Sequence, residues 1–186
     1  NKNMPVNVKT LKTVLKDDLA KILRFLGENL GEATNYRLAK DENSTPFDFI
    51  IVRAENKSIV GVLAYYWTIL QTGTLGEVFI SAHIDSLAVA PQYRGYGYGT
   101  TLMKAFGENL CKIKASHSNS KQDVVGALVL LLNPPENRHA LYLYRKLGFW
   151  PTCWQQQADS TDAAHALWYS AAWTLALAHN TQLSTR

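Results

Sequence analysis

Arg94 is followed by three alternating glycines, Gly95, Gly97 and Gly99, in the stretch QYRGYGYGTT at 92–101. The stretch stands where an apolar run, SLAVA, gives way to a helical pattern, TTLMKAFGENL. A strand that turns into a helix through glycines leaves the first helical N–H groups without internal partners. Those amides and the positive end of the helix dipole together make an anion site, and glycine lets a phosphate approach the backbone. Arg94 adds a fixed charge able to make forked hydrogen bonds to phosphate oxygens. The G-x-G-x-G spacing is neither the dinucleotide G-x-G-x-x-G pattern nor a P-loop, which ends in Gly-Lys-Ser/Thr. On the glycines alone, a tight strand-to-helix turn without a ligand is an equal reading.

The elements that must position this loop follow from periodicity. VNVKTL alternates as a first strand, and Leu15, Leu19, Ile22, Leu23, Leu26 and Leu30 recur at helical spacing, with a break near Gly27 or Gly31. Two β-rich runs flank AENKS and predict a hairpin. VFISAHIDSLAVA predicts a long strand stopped by Pro91, which cannot donate to a sheet ladder. Leu102, Phe106, Leu110 and Ile113 predict the helix after the glycines, VVGALVLLLN a buried strand, PPENRHALYLYRKLG a short helix and FWPTCW a further strand. In the tail DAAHALWYSAAWTLALAHN the alanines favour helix, whereas Trp168, Tyr169 and Trp173 favour strand, so periodicity leaves both open. The alternation of strands and helices in 186 residues, 47% of them hydrophobic, predicts one mixed α/β domain over residues 1–186.

Charge and cysteines narrow the function classes. The formal charge of +4 is spread without a dense basic block, which argues against a nucleic-acid partner. There is no apolar run of membrane-spanning length and the first residues lack a signal-peptide core, which predicts no membrane partner. Cys111 and Cys153 have neither metal-ligand spacing nor a disulfide framework, as expected for a cytoplasmic protein without a metal site.

The whole string LAVAPQYRGYGYGTTLM resembles the acetyl-CoA-binding signature of the GNAT superfamily of N-acetyltransferases. Leu87, Val89, Pro91, Tyr93, Arg94, Gly95, Gly97, Gly99 and Leu102 all match its pattern. NRHALYLYRKLGF is similar to the family's C-terminal motif through Asn137, Ala140, Leu143, Tyr144, Gly148 and Phe149. With the hairpin ENKSIVGVLAYY, the resemblance covers roughly residues 5 to 155.

The resemblance implies a mixed, mostly antiparallel sheet, splayed between its fourth and fifth strands, with helices on both faces and a final strand near 165–176. It also implies acetyl-CoA as co-substrate. Leu87, Ala88 and Val89 would hold the pantetheine arm through backbone bonds at Leu87 and Val89, and the Leu87 N–H would polarise the thioester carbonyl. Amides of Gly95, Tyr96, Gly97, Tyr98, Gly99 and Thr100, with Arg94, would hold the pyrophosphate, and Asn137 would contact the pantetheine arm. No metal is implied.

A free amine attacks the thioester in this family, so a base must deprotonate the ammonium and an acid helps the thiolate leave. Tyr144 matches the position of the family's acid, whereas Tyr142 reads as a helix tyrosine packed on the core. His83 falls where histone-acetylating relatives carry a glutamate. Asp85 points to the same side of the strand, where it would orient or replace His83. Ordinary polar residues on a strand face are an equal reading of this pair. The fifth-strand glutamate of relatives that acetylate protein N-termini is replaced by Leu132, and Glu77 is a remote candidate base.

These features predict an acetyl-CoA-dependent N-acetyltransferase acting on a primary amine, with a peptide or apolar amine slightly favoured. Tyr36, Trp67, Trp150, Trp154, Trp168 and Trp173 would supply an apolar groove or a homodimer interface, core filling being the plainer role for most of them. The alternatives are a non-catalytic acyl-CoA-binding module of the same fold and, more distantly, a phosphate-binding protein of another fold.

Overall fold

The computed structural model describes residues 7–11, 16–31, 47–71, 78–116, 124–132, 138–156 and 165–171. Its elements run β1 (Asn7–Leu11), α1 (Lys16–Leu30), β2 (Asp48–Arg53), β3 (Ile59–Gln71), β4 (Val78–Val89) and a 3-10 turn (Pro91–Tyr93). These are followed by α2 (Tyr98–Ser116), β5 (Val124–Leu132), α3 (Arg138–Lys146), β6 (Trp150–Gln156) and β7 (His165–Ala171). The chain forms two compact units, each assembled from two separate stretches: 1–66 with 85–106, and 67–84 with 107–186.

In the first unit the strand order is β1-β2-β3-β4. β1 and β2 pair antiparallel from Asn7↔Arg53 to Leu11↔Phe49, and β2 and β3 from Asp48↔Tyr65 to Arg53↔Ile59. The hairpin end closes as AENKS predicts: Ala54 N donates to Ser58 O (3.0 Å) and Lys57 N to Ala54 O (2.9 Å). Lys57 takes φ 64° there.

Strand alternation divides the apolar side chains between the two faces of this sheet. Phe49, Ile51, Val62, Ala64, Ala88 and Ala90 pack with Leu19, Ile22, Phe25 and Leu26 of α1. On the other face Tyr65 meets Phe106 of α2 edge-on at 5.0 Å. A Cβ on Gly61 would stand 3.1 Å from Leu102 Cδ1, so the missing side chain lets α2 come close. α1 keeps its helix through Gly27 and ends at Gly31, whose φ of +103° only glycine adopts readily. Leu30, expected on the apolar face, is exposed.

Leu26 is wholly buried in this cluster. Leu26→Ala should therefore lower stability by about 2–5 kcal/mol, the range for emptying such a site. Urea denaturation of the two proteins would check this. A loss under 1 kcal/mol would mean that α1 does not close this face.

In the second unit the order is β4-β5-β7-β6. β4 and β5 run parallel from Phe79↔Val124 to Ile84↔Val129, joined by a crossover through α2, as a parallel pair requires. The splay between the fourth and fifth strands is not visible in this pairing. β7 lies antiparallel to both β5 and β6. The tail is thus a strand over His165–Ala171: two neighbours offering ladder hydrogen bonds outweigh the helical preference of its alanines. Register shifts between Pro151 and Cys153, where proline cannot donate. Among the described residues no helix is long and apolar enough to cross a membrane.

Candidate functional site

β4 delivers the chain to the glycine loop with a strict alternation. Ala82, Ile84, Ser86, Ala88 and Ala90 are buried, while His83, Asp85, Leu87 and Val89 share the opposite, half-open face. Ala90 N donates to Val60 O at 3.0 Å and ties the strand end to β3. Pro91 then opens the 3-10 turn, in which Tyr93 N donates to Ala90 O (2.8 Å) and Arg94 N to Pro91 O (3.2 Å).

Gly95 and Gly97 both take left-handed φ, +81° and +87°, and a Cβ added at either would meet nothing within 4 Å. Backbone conformation, not space, therefore requires glycine at these two positions. α2 starts at Tyr98, and its first internal bond is Thr101 N to Gly97 O at 3.0 Å. The amides of Tyr98, Gly99 and Thr100 precede that bond and have no place in the α-helical ladder. The first turn carries no acidic residue to compete for them.

Arg94, Gly95, Tyr96 and Gly97 are exposed. Arg94 Nε donates to Val89 O at 3.0 Å, so the guanidinium is anchored to the last residue of β4. This bond engages the Val89 carbonyl, one of the two backbone positions expected to hold the pantetheine arm. Tyr98 is buried and meets Tyr93 edge-on at 6.0 Å. The result is a cationic, amide-rich turn suited to a phosphate or pyrophosphate.

The candidate base and its neighbour sit on β4. Nε2 of His83 is buried, and loss of hydration pushes its pKa below the ordinary 6.5. Asp85 accepts a 2.6 Å hydrogen bond from the hydroxyl of Ser86, which is 4% exposed. Ser86 is a residue the motif reading missed. A hydroxyl next to an aspartate on a buried strand position is the signal that would have found it, since a buried polar group needs a partner.

Tyr144 lies on α3, in the second unit, and is buried; burial raises its phenol well above the ordinary value. The Gly-Phe that follows explains its setting. Gly148, at φ +86°, donates to Arg145 O (3.0 Å), and Phe149 N donates to Tyr144 O (3.0 Å), which is the Schellman arrangement at a helix C-terminus. Its usual apolar contact is the Tyr144–Phe149 ring pair at 5.5 Å. Tyr142, expected on the core, is 69% exposed. Two positions along a helix are about 200° of rotation apart, so the face that buries Tyr144 turns Tyr142 outward.

The first unit thus brings together Asp85, Leu87, Ala88, Val89 and the loop from Arg94 to Thr100. His83 stands two residues before Asp85 on β4, and Tyr144 is positioned by α3 within its own unit. Asn137, Glu77, Tyr36 and Trp173 lie outside the described residues. Leu132 is the last residue of β5, Trp150 and Trp154 are on β6, Trp168 is on β7, and Trp67 is half-buried on β3.

His83 carries a pH prediction with a definite sign. A base must be neutral, and a lowered pKa means that His83 is already neutral at pH values below 6.5. The rate against pH should therefore rise through an inflection below 6.5, which His83→Gln removes. Stability should follow the same direction. The unfolded chain binds the His83 proton first as pH falls, so stability declines from about pH 6.5 downward and levels off below the folded pKa. An unchanged inflection in the variant would assign it to another group.

No curated protein matches the chain by sequence. The structure resembles that of the ribosomal-protein-S18-alanine N-acetyltransferase from Escherichia coli, with TM-score 0.62, 17% identity and coverage of 89% of this chain and 92% of that one. It also resembles Arabidopsis thaliana NAA60 in complex with acetyl-CoA, with TM-score 0.62, 9% identity and coverage of 90% and 98%. A third similar structure is the NatC complex bound to Gag peptide and CoA, with TM-score 0.62, 19% identity and coverage of 90% and 98%. These likenesses show the fold. The family model described as the acetyltransferase (GNAT) domain matches residues 46–151. That span exceeds half of the 186 residues and contains the whole β2–β4 scaffold, the glycine loop, α2 and α3, so the chain belongs to the GNAT acetyltransferase family.

Proposed function

We propose that residues 1–186 form one acetyl-CoA-dependent N-acetyltransferase domain that moves an acetyl group to a primary amine of a peptide, protein or small molecule. The observation that carries this reading is the run of amides at 98–100, ahead of the first bond of α2 and reached through two left-handed glycines. Free amides at a helix N-terminus suit the diphosphate of the acetyl donor. Among acceptors, a peptide or protein amine is favoured by the solved structures of like fold, one of which acts on an alanine of a ribosomal protein and another of which holds a peptide.

In this reading His83 takes a proton from the substrate ammonium, with Asp85 orienting the ring or replacing it and Ser86 steadying Asp85. The amine nitrogen forms a bond to the acetyl carbon, helped by the Leu87 N–H at the carbonyl oxygen, and the carbon–sulfur bond breaks. Tyr144 gives its phenolic proton to the departing sulfur, and the second proton shed by the acetylated nitrogen restores the phenol. Its raised pKa keeps that proton in place until it is needed. Arg94 and the amides from Gly95 to Thr100 hold the phosphates, Ala88 shapes the strand end beside the pantetheine arm, and Asn137 contacts that arm.

The test is thiol release from acetyl-CoA against a panel of peptides and small amines. Turnover with a subset of amines, coupled to mass gain of the amine by one acetyl group, is the expected result. Tight CoA binding with no turnover across the panel would identify a non-catalytic acyl-CoA-binding module. Absence of thermal stabilisation by acetyl-CoA would overturn the cofactor assignment, since a ligand of the folded state must raise Tm. Light scattering of the same sample tests whether two copies associate.

A further inference from the structure

α1 and the β2–β3 hairpin end flank an open hollow of about 270 Å³ lined by Lys21, Arg24, Phe25, Glu28, Arg53, Lys57, Ser58 and Ile59. It belongs entirely to the first unit and shares no residue with the glycine loop. Four of its side chains are cationic and one is anionic, a net of +3 (4 − 1), against +4 for the whole chain. Positive charge thus predominates around this hollow, with one of its cations, Arg53, paired to Asp18.

Helical spacing and turn geometry converge to build it. Lys21, Arg24 and Glu28 recur at intervals of three and four and so share one face of α1. Lys57, at φ 64°, lines the same hollow from the hairpin, where Asn56 Oδ1 accepts from Ser58 N (3.1 Å) and Ser58 Oγ (2.6 Å). Arg53 is fixed at the rear: Nη1 donates to Lys57 O at 3.0 Å, and Nη2 pairs with Asp18 at 3.5 Å. Among the described residues the side chains of Lys21, Arg24 and Lys57 make no salt bridge or hydrogen bond. Phe25 and Ile59 offer an apolar floor, the former buried and the latter half-buried.

We propose that this cavity is a second anion site that binds a small phosphomonoester, separate from the site for the acetyl donor. Three cations around one hollow suit a dianion, and the Arg24 guanidinium supplies a fork matched to phosphate oxygens. A hollow of about 270 Å³ has room for a phosphorylated sugar. The apolar floor receives the carbon body of the ligand while the cations hold its phosphate.

The experiment titrates ribose 5-phosphate into the full chain saturated with CoA, so that the glycine loop is already filled. Ribose is the uncharged control. Saturable binding at one site is expected, with competition by inorganic phosphate and weakening as salt screens the charges. Arg24→Glu and Lys57→Gln, both at exposed positions, should each weaken binding at least about tenfold, the size of one lost charge-assisted bond. Both should melt with the parent and keep its affinity for CoA. Three results would overturn the proposal: no saturable binding of ribose 5-phosphate, binding unchanged in both variants, or binding confined to an acidic peptide such as hexaglutamate. Each leaves the assignment of the acetyl-donor site intact, because CoA affinity is read separately.

Discussion

Gly97→Val should weaken CoA binding by about 10²–10⁴-fold while leaving the protein folded. The residue sits at φ +87° with nothing within 4 Å of an added Cβ, so crowding at the Cβ does not oppose the substitution. The cost is in the backbone, roughly 1–2 kcal/mol for a side chain in the left-handed region, and it is relieved when the loop rotates to a negative φ. That rotation re-aims the carbonyl of Gly97, which accepts from Thr101 N, and with it the amides of Tyr98, Gly99 and Thr100. Losing two hydrogen bonds to a charged phosphate costs about 1.5–3 kcal/mol each, which gives the stated range. Gly97→Asn is the control. Asparagine tolerates left-handed φ, so it should keep affinity within about tenfold. Calorimetric titration with CoA reads both variants, and equal, near-parental affinity for the two would show that the turn is only a connection.

Tyr144→Phe should reduce kcat by about 10²–10⁴-fold, the usual contribution of a positioned acid, with little change in CoA affinity. The substitution keeps what Tyr144 does for the fold: its backbone carbonyl still accepts from Phe149 N, and its ring still packs on Phe149 at 5.5 Å. Only the phenolic proton is lost. Because burial holds that phenol well above its ordinary value, the parent should show no alkaline limb from Tyr144 in the usual assay range. Tyr142→Phe, at an exposed position two residues earlier, should be neutral and serves as the matched control. A Tyr144→Phe enzyme within threefold of the parent would reduce Tyr144 to the apolar contact of the helix C-terminus.

The glycine turn was legible in the sequence because its geometry is local. Gly95 and Gly97 set the backbone conformation of the turn within a few residues, and the strand and helix around them carry unmistakable periodicity. The same holds for α1, for the AENKS hairpin and for the Gly148-Phe149 stop of α3. Each is a short-range arrangement that a side-chain pattern can specify.

What the pattern left open depended on distant partners. Local preferences in HALWYSA pull toward both helix and strand, and only the ladders offered by β5 and β6 made it β7. Burial divided Tyr142 from Tyr144, because a helix has one inward face and the sequence carries a tyrosine on each side. The hydroxyl of Ser86 on Asp85 and the guanidinium of Arg94 on Val89 likewise came only with coordinates, as did the cationic hollow made by residues 21–28 and 53–59. The sequence by itself determined the strand-to-helix turn and the glycines that its left-handed backbone requires. Tertiary structure alone decided which titratable groups are desolvated and which face outward, because burial is a property of the whole packed chain and no short segment encodes it.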